Sequence, residues 1–308
     1  MARAFAEAPE SSPASGRSRH ESQSHSLAAA MTSTELSGCI AAGSLLAGFL
    51  GSLTGLGGGV VIVPLLSLVF KFDIHYAIGA SLVSVIATSS GSAAAYLKEG
   101  YSNIRIGMFL EIATTLGALA GAYLAARVPT AAIAIVFGLV LLYSSVTSIR
   151  KRKQRAYDSP PDTIAQLLRL DGAFPEDGRS TTYHVRRVPL GFGLMFGAGT
   201  LSGLLGIGSG AVKVLAMDEA MGVPFKVSTT TSNFMIGVTA AASASIYLTR
   251  GYIEPAIAMP VTLGVLAGSL LGAKVLVRAN PRSIRWVFAL VIAVLGVEMI
   301  VNGITGRL

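Results

Sequence analysis

The sequence has little of what disulfide frameworks and metal centres require. It contains one cysteine, Cys39, and four histidines, all of which lie outside the long apolar runs. A lone cysteine excludes an internal disulfide framework and a cysteine metal cluster, and the sequence has no HExxH motif. We therefore expect no metal site, no cofactor and no enzyme chemistry.

Charged residues are also scarce, at 13% of the chain, whereas 52% of the residues are hydrophobic. The apolar residues form long runs, such as 104–126 and 284–306, and a helix needs about 20 such residues to cross a bilayer. The net charge of +8 lies largely beside these runs, as in Arg150–Arg155, where it is typical of a cytoplasmic topology signal. The sequence predicts an all-α polytopic membrane protein with the lipid bilayer, and no nucleic acid, as its partner.

Two segments differ from the apolar runs. Residues 1–34 are rich in Ser, Ala, Pro and Arg and lack the apolar core of a signal peptide, so we expect a disordered tail. Met31 offers a second start position. Residues 154–185 are expected to form a cytoplasmic loop, and their two Asp-Gly pairs favour tight turns and a small hairpin.

The rest of the chain aligns with itself at an offset of 151 positions. The segment "YLKEGY" at 96–101 falls on "YLTRGY" at 247–252, and "GLGGGVV" at 55–61 falls on "GIGSGAV" at 206–212. Because one gapless offset serves many landmarks, we expect two homologous halves, 35–153 and 186–308. Internal duplication is common in secondary transporters.

Each half is predicted to contain four or five transmembrane segments. A helix of about 20 residues ends at a glycine cluster, a short apolar segment follows, and three further spans complete the half. If the short segment does not cross the membrane, the halves are parallel; if it crosses, they are inverted. The positive-inside rule favours the inverted arrangement, which puts Arg278, Arg282 and Arg285 in the cytoplasm and Arg250 outside.

The glycine clusters are the first candidate site. They comprise Gly57, Gly58 and Gly59 in the first half and Gly208, Ser209 and Gly210 in the second. One interpretation is a broken helix near the start of each half, whose free backbone N–H groups bind an anion. The alternative is close helix packing of the GxxxG type.

Lys213 lies just past the second cluster, where its first-half counterpart is Ile62. A lysine at the bilayer centre costs about 2.5–3.5 kcal/mol, and a cation near a helix start opposes the helix dipole. A bound anion would compensate for both. A lysine that snorkels to an interface, or that pairs with Asp218 or Glu219, is the alternative.

Hydroxyl groups supply further candidate ligands. The second half holds the run "STTTSN", and Ser81 of the first half is the counterpart of Ser232. Such donors can replace the water around a small oxyanion, although hydroxyls in membrane helices often bond to their own carbonyls instead. The candidate binding residues in these runs are Ser81, Thr229, Thr230, Thr231, Ser232 and Asn233.

Two carboxylates within predicted spans are candidates for proton coupling. Glu298 lies deep in the last span, and Glu111 lies about two turns into its helix. An acidic group inside a membrane span is a functional candidate by default, but Glu111 could also reach the headgroups.

These segments resemble the TauE/SafE family of sulfite exporters. The second half carries the more specific likeness, in "GIGSGAVKVLAMDEAMGVPFKVSTTTSNFMIGVTA", and the first half carries "GLGGGVVIVPLL". The chain departs from the family pattern at Gly208–Gly210, where Gly and Ser alternate, and at Leu215, where proline is frequent. The resemblance implies transport of sulfite, sulfonates or related sulfur oxyanions.

The expected function is therefore secondary transport of a small anion across the bacterial inner membrane by alternating access. An anion channel and a non-transporting scaffold are the alternatives. The expected partners are a small anionic substrate and the lipid bilayer, with a homodimer left open.

Overall fold

The structure is a computed structural model that describes residues 33–54, 58–98, 102–149, 162–176, 179–276 and 281–306. Within these ranges the ordered elements are helices apart from one two-stranded hairpin. The predicted N-terminal tail, except for its last two residues, and Gly57 of the first glycine cluster lie outside the described residues.

Two series of helices flank a small connecting unit. The first series consists of α1 (Ser33–Thr54), α2 (Gly59–Pro64) with a π-helical continuation (Leu65–Val69), α3 (Ile74–Lys98), α4 (Ile104–Ala125) and α5 (Thr130–Ile149). The connecting unit consists of α6 (Thr163–Leu167), β1 (Gly172–Glu176) and β2 (Arg179–Tyr183). The second series consists of α7 (Val188–Leu205), α8 (Gly210–Leu215) with a π-helical continuation (Ala216–Ala220), α9 (Phe225–Thr249), α10 (Pro255–Leu276) and α11 (Pro281–Thr305).

The two series follow the same spacing. The first residues of α2 and α8, Gly59 and Gly210, are 151 positions apart, and so are those of α3 and α9, Ile74 and Phe225. The first residues of α4 and α10 and those of α5 and α11 keep the same interval. This interval equals the offset at which the sequence aligns with itself.

Among the described residues, four helical segments are suited by length and composition to cross a membrane: Ile104–Ala125, Thr130–Thr147, Val188–Leu205 and Pro255–Gly272. Shorter apolar stretches lie at Glu35–Gly51, Gly59–Val69, Ile74–Ser90 and Ala289–Thr305. The hydroxyl run lowers the hydropathy of α9, which belongs to neither group. These helices are those of an all-α, multi-pass membrane protein.

Glycines bring two pairs of helices into close parallel contact. On α7, Gly199 lies against Thr114 of α4 and Gly203 lies against Ala118. A step of four residues toward the C-terminus of α7 matches a step of four residues toward the C-terminus of α4. The two helices therefore run in the same direction. α1 and α10 pack in the same way, with Gly264 against Ala41 and Gly268 against Leu45. Small residues allow such close approach of membrane helices.

Two other pairs run antiparallel. Gly303 of α11 lies against Ala131 at the start of α5, and the Ser145 hydroxyl near the end of α5 donates a 2.7 Å hydrogen bond to the Ala289 carbonyl. In the central pair, Ser89 of α3 lies against Gly237 of α9, whereas Gly79 lies against Tyr252, just beyond α9. The counterpart helices α5 and α11 therefore point in opposite directions, and so do α3 and α9.

The connecting unit contains the hairpin that the Asp-Gly pairs predict, with Gly172 opposite Tyr183. Its contacts with the helices are specific. The side chain of Asn103 caps α4 by accepting a hydrogen bond from the Ile106 amide, and its own amide group donates to the hydroxyl of Tyr183 at 2.7 Å. The hairpin is thus attached to the beginning of α4.

Candidate functional site

Lys213 is fully buried, with 0% of its surface exposed. It lies on α8, and its Nζ atom donates a 2.6 Å hydrogen bond to the hydroxyl of Thr239 on α9. Side chains on a helix lean toward its N-terminus, which carries this ammonium away from the following acidic residues, Asp218 and Glu219. The snorkelling alternative is wrong, because the lysine ends inside the helix bundle.

Thr239 connects this lysine to a buried carboxylate. Its hydroxyl lies 2.7 Å from Oε1 of Glu111 on α4, and Oε1 also accepts a 3.1 Å hydrogen bond from Thr115. Glu111 is 7% exposed, so it does not extend to lipid headgroups. Its Oε2 atom is buried and has no hydrogen-bond partner among the described residues.

The loop between α7 and α8, which precedes Lys213 in the chain, has an unusual backbone. Gly206 and Gly208 have φ values of +69° and +68°, which side chains other than glycine rarely tolerate. Ser209 follows with φ +46°, and its buried hydroxyl finds no partner in the part of the chain that the structure describes. Because a helix leaves its first amides without intrahelical acceptors, the start of α8 offers further donors here.

The first glycine cluster meets this loop. The Ser81 hydroxyl of α3 donates a 2.8 Å hydrogen bond to the Gly206 carbonyl. A Cβ atom on Gly59 would lie 2.8 Å from Ser81 Oγ and 3.2 Å from the Gly206 oxygen. Gly58 adjoins Val265 of α10. The two clusters therefore approach each other beside the central pair α3 and α9.

The hydroxyl run at the start of α9 divides into two groups. Ser228, Thr229 and Thr230 donate to backbone carbonyls of their own segment, three to five residues back. These three hydroxyls therefore bond to carbonyls of their own segment, as the alternative interpretation of the run predicts.

The rest of the run makes contacts with other elements. The Ser232 hydroxyl donates to the Gly210 carbonyl at 3.3 Å. The Thr231 hydroxyl accepts a 3.1 Å hydrogen bond from the backbone amide of Asn103, the residue before α4. Asn233 is half-buried. Of the six predicted hydroxyl and amide ligands, Ser81 and Ser232 are the two that, among the described residues, hydrogen-bond to the second glycine segment, at Gly206 and Gly210.

Thr239 was not among the predicted residues. It lies seven positions, or two helical turns, after Ser232, and both side chains are buried on the same face of α9. Extending that face from the hydroxyl run would have found it. The carboxylate Glu298, by contrast, is exposed on α11, which packs chiefly against α5.

Comparison with known proteins identifies the family. The sequence profile of the sulfite exporter TauE/SafE family matches residues 40–299. The chain belongs to this family. The matched region includes both glycine clusters, Lys213, Thr239 and Glu111.

TauE/SafE relatives are spread over bacteria and archaea. The chain is 29% identical to the "probable membrane transporter protein YunE" of Bacillus subtilis, over 84% of this chain and 96% of the relative. It is 24% identical to the "probable membrane transporter protein MJ0441" of Methanocaldococcus jannaschii, over 82% of this chain and 91% of the relative. No solved structure matches the chain.

TauE/SafE membership makes the chain a multi-pass membrane transporter. Within the described ranges, no group of three or more His, Cys, Asp or Glu side chains is arranged to hold a metal ion. Among the residues that the structure describes, the buried side chains of Lys213 and Glu111 meet at Thr239 inside the helix bundle.

Proposed function

We propose that the protein is a secondary transporter that moves a small anion across the inner membrane by alternating access. The substrate class that we propose is sulfite, an organosulfonate or a related sulfur oxyanion. Membership of the TauE/SafE family supports transport, and the description of that family as sulfite exporters supports sulfur oxyanions. Which anion of this class is transported depends on the residues that form the site.

The observation that carries the proposal is the hydrogen bonding of Lys213. An ammonium group has three N–H donors, and the structure shows one of them in use, with Thr239. Burial of a lysine at membrane depth costs about 2.5–3.5 kcal/mol. Among the described residues the other two donors of this buried cation have no acceptor, and the Ser209 hydroxyl four positions earlier in the chain has no partner. Such a cation is well suited to bind a small oxyanion.

The proposed site includes more than the lysine. Ser209 and the first amides of α8 approach it from the second glycine loop, and Ser81 and Ser232 hold that loop in place. Sulfonate has a tetrahedral sulfur and sulfite a pyramidal one. Uncharged donors of this kind can bind the oxygens of either anion, because they do not impose one fixed geometry.

The arrangement of the two series supports alternating access. We propose that 35–153 and 186–308 are inverted repeats, each interrupted at its glycine cluster, because counterpart helices run antiparallel and keep the spacing of 151 positions. In this arrangement α2 and α8, with their π-helical continuations, each complete a fifth crossing. Movement of one repeat against the other would open the central site to either side.

The proposal is tested by flux in proteoliposomes. Purified protein is reconstituted and offered labelled sulfite, thiosulfate, sulfoacetate, methanesulfonate and sulfate, with protein-free vesicles as the control. Saturable uptake of at least one of these anions supports a transporter. Conductance that does not saturate would instead indicate an anion channel. No flux, together with no thermal stabilisation by any of the anions, would indicate a scaffold.

A further inference from the structure

We propose that Glu111 takes up one proton for each anion that binds at Lys213, so that anion transport is coupled to protons moving in the same direction. This inference rests on the proposed function and adds the coupling ion to it. It arises from the connected side chains of Lys213, Thr239 and Glu111, which come from three different helices.

The two carboxylate oxygens of Glu111 have different surroundings. Oε1 lies 2.7 Å from the Thr239 hydroxyl and 3.1 Å from that of Thr115. Oε2 is buried and has no hydrogen-bond partner among the residues that the structure describes. Buried polar atoms nearly always have a hydrogen-bond partner. We therefore infer that Oε2, which has none among the described residues, binds a proton during part of the transport cycle. A proton on Oε2 would leave both bonds to Oε1 in place.

Lys213 is the charged group that faces this carboxylate. α4 packs against α7 and α9, and α7 contains no ionisable residue over Val188–Leu205. On α9, Lys226 is exposed in the first turn, and Tyr247 lies near the opposite end, with Arg250 just beyond the helix. The charge on Glu111 is therefore balanced by Lys213 through the shared threonine.

A count of charges gives the coupling. The empty site holds one positive and one negative group and is neutral. A bound monovalent anion adds a negative charge that the buried surroundings stabilise poorly. Transfer of a proton from bulk water to Oε2 neutralises Glu111, and Lys213 is then balanced by the anion. When the anion leaves on the other side, the carboxylate regains its role as counter-ion, and the proton departs with the anion.

The test measures equilibrium binding of labelled methanesulfonate to the purified protein between about pH 5 and about pH 8. Methanesulfonate remains ionised over this range, so any pH dependence belongs to the protein. For the wild type we expect affinity to fall by up to about tenfold per pH unit as the pH rises. Glu111→Gln should bind equally well at all pH values, with the affinity that the wild type has at low pH. Glu298→Gln, which changes the exposed carboxylate of α11, should keep the wild-type slope.

A second measurement does not depend on a variant. Mixing wild-type protein with methanesulfonate in weakly buffered solution should remove about one proton from solution per anion bound, as read with a pH indicator dye. Binding without proton uptake, or a pH slope that survives Glu111→Gln, would overturn the coupling and leave anion transport intact. A wild type that binds no anion of the panel at any pH would contradict the proposed function itself.

Discussion

Gly203 of α7 lies so close to Ala118 of α4 that a Cβ atom on the glycine would stand 2.1 Å from the Ala118 carbonyl oxygen. The helix backbones touch at this point, and no small movement of a flexible side chain can make room. The contact holds α4, and with it Glu111, beside the second series of helices.

We expect Gly203→Val to destabilise the protein by at least about 1–3 kcal/mol, because the added carbons push the two backbones apart. Thermal unfolding in detergent measures the effect. Gly197→Ala is the matched control, since Gly197 lies on the same helix with nothing within 4 Å of its Cβ position. The control should be neutral or slightly stabilising. Equal loss in both variants would show that contact with α4 does not set the cost of replacing Gly203.

The hairpin should detach from α4 in alkali. Burial raises the pKa of the Tyr183 hydroxyl to about 12 from its ordinary value of 10. Because the pKa is higher in the folded state, the neutral hydroxyl makes its full contribution to the stability of the hairpin below the unfolded-state pKa. That contribution is lost as the pH rises through the folded-state pKa. We therefore expect the packing of the hairpin to weaken between about pH 10 and about pH 12.

Protease sensitivity of the connecting unit over this pH range tests the prediction. Tyr183→Phe should remove the alkaline transition and, because it leaves Asn103 without the bond to the hydroxyl, lower stability at neutral pH by about 1 kcal/mol. An unchanged alkaline transition in Tyr183→Phe would assign it to another group.

The direction of the repeats predicts which loops face which side. In the inverted arrangement, a cysteine at Glu254, an exposed position between α9 and α10, should react with an impermeant thiol reagent only from outside. A cysteine at Arg282, at the start of α11, should react only from the cytoplasm. Both variants are built on Cys39→Ser, because Cys39 is exposed. The opposite pattern of labelling would support parallel halves.

Much of the helix pattern can be predicted from the sequence, because bilayer thickness sets the length of an apolar run. The hairpin follows from local chemistry in the same way. Helix direction needs more than local chemistry. The positive-inside rule only favours inversion, whereas the contact of Gly303 with Ala131 gives the antiparallel direction of α5 and α11.

The candidate site could be predicted less completely. Lys213 stands out because a charge inside an apolar run is costly. Its connection to Glu111 has no local signal, since the two residues are far apart in sequence and meet only when α4, α8 and α9 pack together. Thr229 and Thr230 remain predicted ligands, but the sequence does not show that their hydroxyls donate to carbonyls of their own segment.

The central claim is that Lys213 binds the transported anion, and substitution by methionine tests it. Lys213→Met alone should lower the melting temperature, because it leaves the buried carboxylate of Glu111 without its counter-ion. Lys213→Met combined with Glu111→Gln removes both charges and should restore the fold. Lys226→Met, which changes an exposed lysine on α9, serves as the control for loss of a positive charge.

The deciding measurement is an anion titration followed by melting temperature, since a ligand that binds the folded state stabilises it by RT ln(1 + [L]/Kd). The anion is the one that binds the wild type best. We predict that the folded double variant Lys213→Met/Glu111→Gln, compared with Glu111→Gln at the same pH, loses about 1.5–3 kcal/mol of binding free energy, the contribution of a charge-assisted hydrogen bond, or roughly tenfold to a hundredfold in affinity. Lys226→Met should bind as the wild type does. Unchanged affinity in the double variant would contradict the account and remove Lys213 from the anion site.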